Sequence, residues 1–322
     1  MSALTRATLF ALLCAAANVV AAQSAKYPTK SIRMIVPFAP GGGTDIVARI
    51  IAQKMSDTLG QSVVVDNRPG AGGTVGTETA VHAQPDGYTL INISGSYATN
   101  AAVYKLSYDP VNDIQPISLF GESAFVVVLH PAVAAKNIPE IIAIAKAKPG
   151  TLNYGSTGTG GITHLSTELF ALMAGARMTH VPYRGTGPSL TALLGNQIQL
   201  MFAAMPAAIP HVKQSRLRGL AVTSQKPAPA LPELPTLGES VKGYEVVLWW
   251  GMFGPKGLPK NILAVWNGGI EDILKAKDMQ TRMAAEGIDP VGGPPERFRA
   301  AIKRDVEKWK RVVREAKITI QP

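Results

Sequence analysis

Apart from Cys14, the chain has no cysteine. A disulfide framework, a Cys-based zinc site and thiol chemistry in the body of the protein are therefore excluded. At 322 residues the chain can bury a sufficient core without such staples. Histidine is also scarce. The five (His82, His130, His164, His180 and His211) are scattered, and no spacing among them suggests a metal cluster. There is no His-Glu-x-x-His and no phosphate loop ending in Gly-Lys-Ser/Thr. The dinucleotide pattern Gly-x-Gly-x-x-Gly fails at Val75 when started from Gly70, and at Thr163 when started from Gly158. Around Ser156 the nucleophile-elbow motif lacks its leading glycine. No catalytic set, metal or cofactor is expected.

Long apolar runs are nearly absent as well. The one exception, Ala7 to Val20, carries only Thr8 and Asn18 as polar residues and is shorter than the ~20 residues that a spanning helix needs. Arg6 is the sole charge before Lys26, and Ala21-Ala22 supplies small residues for cleavage, with Val20 at position −3. This is the layout of an export signal over residues 1–22. A lipid anchor on Cys14 is disfavoured because Leu13 stands where a small residue is needed. A soluble, exported mature chain is expected.

The net charge of +10 raises the question of nucleic acid. Basic residues are dispersed up to about Lys260 and then concentrate between Arg297 and Lys317. There they alternate with Asp305, Glu307 and Glu315, as on a solvated helix face. No nucleic-acid module is present, so no such partner is expected. A basic surface does suit the collection of anions.

Periodicity outlines an α/β chain. Ile32–Phe38 reads as a buried strand, Thr44–Leu59 as a helix, Ser62–Val65 as a strand, 74–82 as a helix and Tyr88–Ile93 as a third strand. The βαβαβ rhythm argues a parallel sheet with helices on its faces. A second series starts at Phe125–Leu129 and continues with a helix at 138–146, strands near 152–154, 178–181, 198–202 and 217–222, and helices between them. Lys226–Pro235 is Pro-rich loop, and Val246–Phe253 is a strand returning to the first series. Three helices follow, the last from about Pro295 to Lys317. The expected division is 23–122 plus 251–322 as one domain and 123–250 as the other. Two crossovers then form a hinge with a ligand cleft between the lobes.

Three segments could carry chemistry, and each leads from a strand into a helix start. In Pro37-Phe38-Ala39-Pro40-Gly41-Gly42-Gly43-Thr44-Asp45, glycines let the backbone approach a ligand and the helix N-terminus favours an anion. Asp45 can equally cap the helix and pair with Arg49. Tyr154-Gly155-Ser156-Thr157-Gly158-Thr159-Gly160-Gly161 has the same design, and His164 falls in the first turn that follows, where it can touch ligand or bond locally. In Pro182-Tyr183-Arg184-Gly185-Thr186, Arg184 can clamp a carboxylate or form a surface or interdomain salt bridge.

The ordered set IRMIVPFAPGGGTDIVAR (32–49), NRPGAGG (67–73), PDGYTL (85–90), LNYGSTGTGGITHL (152–165), VPYRGTG (181–187), RGLAVTS (218–224), LPTLGE (234–239) and WWGMFGPKGLP (249–259) resembles the substrate-binding proteins of tripartite tricarboxylate transporters, the Bug family. The resemblance covers essentially the whole mature chain. It implies a periplasmic, two-lobed type II binding protein of Venus-flytrap form that holds a di- or tricarboxylate, an amino acid or an aromatic acid. It maps ligand contacts onto Phe38, Ala39, Pro40, Gly41, Thr44, Asp45, Ser156, Thr157, Gly158 and His164, to which the third segment adds Tyr183 and Arg184. One departure stands out. Ala203 and Ala204 follow the strand ending at Phe202, where the family commonly has a polar or acidic residue, and this points to a less polar pocket.

The expected function is non-catalytic capture of a small carboxylate by a monomer that delivers it to a two-component membrane permease. The competing readings are a secreted hydrolase using Ser156 and a binding protein that serves a signalling sensor.

Overall fold

The structure, a computed structural model, describes residues 27–315. The expected signal segment lies outside the described residues. Among those described, no helix is long and apolar enough to cross a membrane.

The first series forms β1 (Ile32–Val36), α1 (Gly43–Leu59), β2 (Val63–Asn67), α2 (Thr74–Val81) and β3 (Thr89–Ser94). α3 (Ser96–Val103) follows β3 at once. β1 is flanked by β2 and β3, both parallel to it, as the βαβ rhythm requires. The long strand β4 (Ile114–Leu129) then runs out of this sheet. The second series comprises α4 (Ile138–Ala147), β5 (Asn153–Ser156), α5 (Ile162–Ala174), β6 (Thr179–Pro182), α6 (Thr186–Leu194), β7 (Leu200–Ala204), α7 (Met205–Lys213), β8 (Arg218–Val222) and the one-turn α8 (Leu237–Ser240). β9 (Val247–Pro255) returns to the first sheet and pairs antiparallel with β3. α9 (Lys260–Lys275), α10 (Lys277–Ala285), the two-residue β10 (Asp289–Pro290) and α11 (Pro295–Glu315) complete the chain.

Strand order is β2-β1-β3-β9-β4-β7-β5-β6, with β8 and β10 also on β4. The fold is thus a two-lobed α/β binding-protein fold with two connecting strands. The sheets are mixed rather than wholly parallel as the rhythm suggested. β5 is parallel to β6 and β7, but β4 meets β7, β8 and β9 antiparallel. Residues 114–124 of β4 pair with β9, whereas 125–129 pair with β7 and β8. One strand therefore serves both sheets.

Thr223 ties the crossing. It bonds Phe125 of β4 and Val246 just before β9, and it is fully buried. Alternation along β4 feeds two cores. Phe125, Val127 and Leu129 join the main cluster with Trp250, Phe253 and Phe298, while Ala124, Val126 and Val128 join a smaller one with Leu193, Met201 and Leu231.

Candidate ligand-binding cleft

A cavity lies where the lobes meet. It is lined by Phe38, Gly42, Thr44, Ser94, Ser96, Phe125, Thr157, Ile162, Thr163, Thr186, Ala204 and Leu248. Five helices begin there: α1 after Gly42, α3 after Gly95, α5 after Gly161, α6 after Gly185 and α7 after Ala204. None of these four glycines and one alanine caps its helix with a side chain, although Ser96 Oγ takes the Ile162 N–H at the start of α5 and Pro206 leaves α7 one donor short. Six hydroxyls add neutral donors, and no lining side chain carries a charge. Phe38, Phe125, Ile162, Ala204 and Leu248 make the remaining wall apolar. The accessible volume of about 20 Å³ has room for roughly one water.

The lobes are in contact across this cavity. Ala39 N–H donates to the Arg184 carbonyl at 2.9 Å. Tyr104 Oη donates to the Thr159 carbonyl at 2.8 Å, and Ile162 N–H to Ser96 Oγ at 3.2 Å. Asn100 Nδ2 holds the Gly72 carbonyl at 3.0 Å, setting the 70–73 turn against residues 158–161.

Of the sequence-predicted residues, Phe38, Thr44 and Thr157 line the cavity. Gly158, Tyr183 and Arg184 line an outer hollow of about 440 Å³, which shares Thr157 with the inner cavity. Ala39, Pro40 and Gly41 build the loop without lining either space. Asp45 is turned away from the cavity. Its Oδ2 accepts Gly41 N–H and Arg49 Nε, each at 3.0 Å, and its Oδ1 accepts Asn67 Nδ2 and Arg49 Nη2, each at 3.0 Å. Burial alone would raise its pKa, but the hydrogen bonds from Arg49, Gly41 and Asn67 outweigh it and hold the carboxyl below its ordinary range.

Ser156 and His164 sit behind the loop. Ser156 is fully buried, 2.6 Å from His180 Nε2, and its Oγ accepts Gly158 N–H at 3.1 Å. His164 Nδ1 accepts Gly160 N–H at 3.2 Å. The His164 and His180 rings stack with centroids 3.9 Å apart, and Tyr154 packs on His180. Burial lowers the pKa of His164 to about 4. Burial and the neighbouring His164 lower that of His180 to about 3. Both rings are neutral near pH 7, and the column supports the loop. The Ser156–His180 pair, 24 residues apart, gave no sequence signal because it forms across parallel strands β5 and β6.

Sequence reasoning missed Gly42, Ser94, Ser96, Phe125, Ile162, Thr163, Thr186 and Leu248 as lining residues. Ser94 and Ser96 flank the start of α3, a helix whose SYATNAAV sequence has no apolar stripe of helical period. Thr186 and Thr163 are the first residue of α6 and the second of α5, and could have been sought at those helix starts.

A cleft between two α/β lobes, walled by helix N-termini, defines a solute-binding protein. Residues 47–318 match the model of the tripartite tricarboxylate transporter family receptor, and the chain belongs to that family. It is 37% identical to Protein BugT of Bordetella pertussis, with 94% of this chain and 95% of that protein aligned. Among solved structures it is similar to the periplasmic binding protein BugD (34% identity, TM-score 0.88, 92% of this chain and 100% of that one). It also resembles Rpa4515 of R. palustris with adipate (33%, 0.88, 91% and 99%). MatC of Rhodopseudomonas palustris with bound malate is a further relative (30%, 0.85, 89% and 100%).

Proposed function

We propose that this chain is a periplasmic receptor that captures a small carboxylate between its lobes, without converting it, and passes it as a monomer to the membrane permease of a tripartite transporter. The observation that carries this reading is the convergence of five helix N-termini whose N-cap residues have no capping side chain, together with six hydroxyls, on a cavity lined by no cation. Oriented N–H groups and helix dipoles stabilise an anion without the desolvation cost of burying a Lys or Arg. Relatives with bound adipate and malate support a carboxylate, and the apolar half of the wall, Ala204 included, favours one with a short hydrocarbon body. We place the lobes at 23–122 with 251–322 and at 123–250, a division supported by β4 changing sheets near residue 124 and by β9 rejoining the first sheet. The Ser156 hydrolase reading is disfavoured because Ser156 Oγ is buried behind the loop and does not reach the cavity.

A thermal-shift screen against C4 to C8 mono- and dicarboxylates and aromatic acids tests the proposal. A ligand that binds only the folded state raises the melting temperature, and the ligand should be recovered unchanged. No shift with any carboxylate, or turnover lost in Ser156→Ala, contradicts it.

A further inference from the structure

The far end of α5 carries an amphipathic patch. The helix begins at Ile162, which lines the cleft, and Leu172 lies ~15 Å further along its axis. Among the described residues five large apolar side chains are exposed, and only Leu172 (53%) and Met173 (40%) are neighbours in sequence. Single exposed apolar residues are ordinary, whereas an adjacent pair among cations is not. Gly175 ends the helix in the left-handed conformation (φ +60°), and a Cβ there would stand 3.7 Å from Lys146 Cε. The last turn of α4, which holds Lys146, therefore packs against the end of α5. Gly150 N–H donates to the Arg177 carbonyl at 3.0 Å, and Thr179 Oγ1 donates to the Gly150 carbonyl at 2.7 Å. These bonds tie the turn after α4, with Lys148, to the turn after α5, with Arg177. Lys146, Lys148 and Arg177 are all exposed, and among the described residues none of them forms a salt bridge. The acids of the two helices are engaged elsewhere: Glu140 bonds Lys136 N–H and Asn137 at the start of α4, and Glu168 accepts Tyr154 Oη. The cations complement the C-terminal dipoles of α4 and α5, but that role does not account for the exposed Leu172 and Met173.

We propose that this patch docks the protein on an anionic phospholipid surface, with Leu172 and Met173 entering the headgroup boundary and Lys146, Lys148 and Arg177 meeting the lipid phosphates. Three cations without nearby free acids match a negative surface, which favours each Lys or Arg by about fivefold in partitioning. Their aliphatic stems run along the apolar pair while the charged heads stay with the phosphates. A lipid interface accepts an apolar helix end without a matching groove, whereas a folded protein partner has to supply one. The contact leaves the cleft free, because the two lie at opposite ends of α5. A receptor held on the membrane searches for its permease in two dimensions. That consequence rests on the receptor reading above, while the lipid contact itself needs no carboxylate.

The test is flotation of the ligand-free protein with phosphatidylglycerol–phosphatidylcholine vesicles in equal parts, and with phosphatidylcholine vesicles alone. Wild type should float with the first and not with the second. Leu172→Gln with Met173→Gln keeps helix propensity and net charge, and should lower partitioning by at least about tenfold. Lys146→Gln, Lys148→Gln and Arg177→Gln together should lower it by about a hundredfold. The control Lys303→Gln, Lys310→Gln and Arg311→Gln removes the same charge from exposed positions on α11 and should leave partitioning within about threefold of wild type. An equal loss in that control means attraction by net charge alone and overturns the proposal, as does wild-type partitioning in the Leu172–Met173 variant. A patch that serves an acidic protein instead leaves wild type indifferent to both vesicles, which also overturns it. Carboxylate binding in the thermal-shift screen is read separately, so either reading can fail without the other.

Discussion

Thr223 and Phe125 exchange two hydrogen bonds where β4 passes from one sheet to the other. Phe125 N–H reaches Thr223 Oγ1 at 2.8 Å, and Thr223 N–H returns to the Phe125 carbonyl at 3.0 Å. The same hydroxyl donates to the Val246 carbonyl at 2.8 Å, and Val246 N–H comes back to the Thr223 carbonyl at 3.1 Å. One side chain thus joins both connecting strands. Thr223→Val keeps the shape but orphans a buried N–H and a buried carbonyl, which costs ~2–4 kcal/mol. Thr223→Ser should retain most of that stability. Urea denaturation of the two variants checks the contrast, and a loss below ~1 kcal/mol in the valine variant contradicts the clasp.

The Asp45 carboxylate bonds Gly41, Arg49 and Asn67 and does not line the cavity. Asp45→Asn removes an acceptor for Gly41 N–H and for Arg49, and should lower stability by ~1–3 kcal/mol. Ligand affinity should fall only modestly, since the carboxylate does not face the cavity. The folded pKa is depressed, so this contribution is present above the ordinary value of 3.8 and is lost as the pH falls through the lower folded value. Unfolding free energies of wild type and Asp45→Asn should converge in that acid range. A selective loss of ligand binding with unchanged stability points instead to direct contact.

The histidine column gives a separate acid dependence. His164 and His180 have folded pKa values near 4 and 3, below the ordinary 6.5. Below pH 6.5 the unfolded chain takes up protons that the folded one refuses, so stability falls as pH drops from 6.5 toward 4. His164→Gln removes one titrating ring and should flatten the melting temperature against pH over that window. A slope equal to that of wild type contradicts the assignment.

Gly41 and Gly158 separate two reasons for glycine. Gly41 has φ +81° with open space around it, so Gly41→Asn, which tolerates this backbone, should be milder than Gly41→Val. At Gly158, φ is +129° and an added Cβ would stand 3.0 Å from Gly72 N across the cleft. Gly158→Ala should therefore weaken ligand binding more than Gly41→Asn does, as calorimetry can show.

Much of this was legible in the sequence where local pattern and tertiary role agree. The βαβ series around Ile32–Val36 and the glycine-rich helix starts at 43 and 162 carry their periodicity and breakers openly. Residues 114–124 do not. Gln115, Pro116, Ser118 and Glu122 interrupt any alternation, because this strand is buried between β9 and flanking helices and bends through register shifts near Pro116 and Leu119. Orientation was also hidden. Asp45 and His164 lie beside the cleft in sequence, but helix geometry turns one toward Arg49 and the other behind the loop. Ser94, Ser96 and Leu248 lie far from the recognised loops, and only the assembled sheet brings them to the cavity.

If helix N-termini and hydroxyls hold an anion here without a cation, one substitution puts opposite demands on fold and site. Thr186 is the first residue of α6 and lines the cavity. Thr186→Asp adds one heavy atom and places a negative charge at a helix N-terminus, where the dipole offsets part of the cost of burying it, so the folded state should be retained with a stability loss of at most ~1–2 kcal/mol. The same charge repels a bound carboxylate. Calorimetric titration with the carboxylate that gives the largest thermal shift should show binding weakened by at least ~100-fold in Thr186→Asp, a few kcal/mol for like charges at short range. Binding should remain within ~10-fold of wild type in Thr186→Asn, where at most one neutral hydrogen bond is lost. Near-native affinity in a folded Thr186→Asp protein would contradict the account.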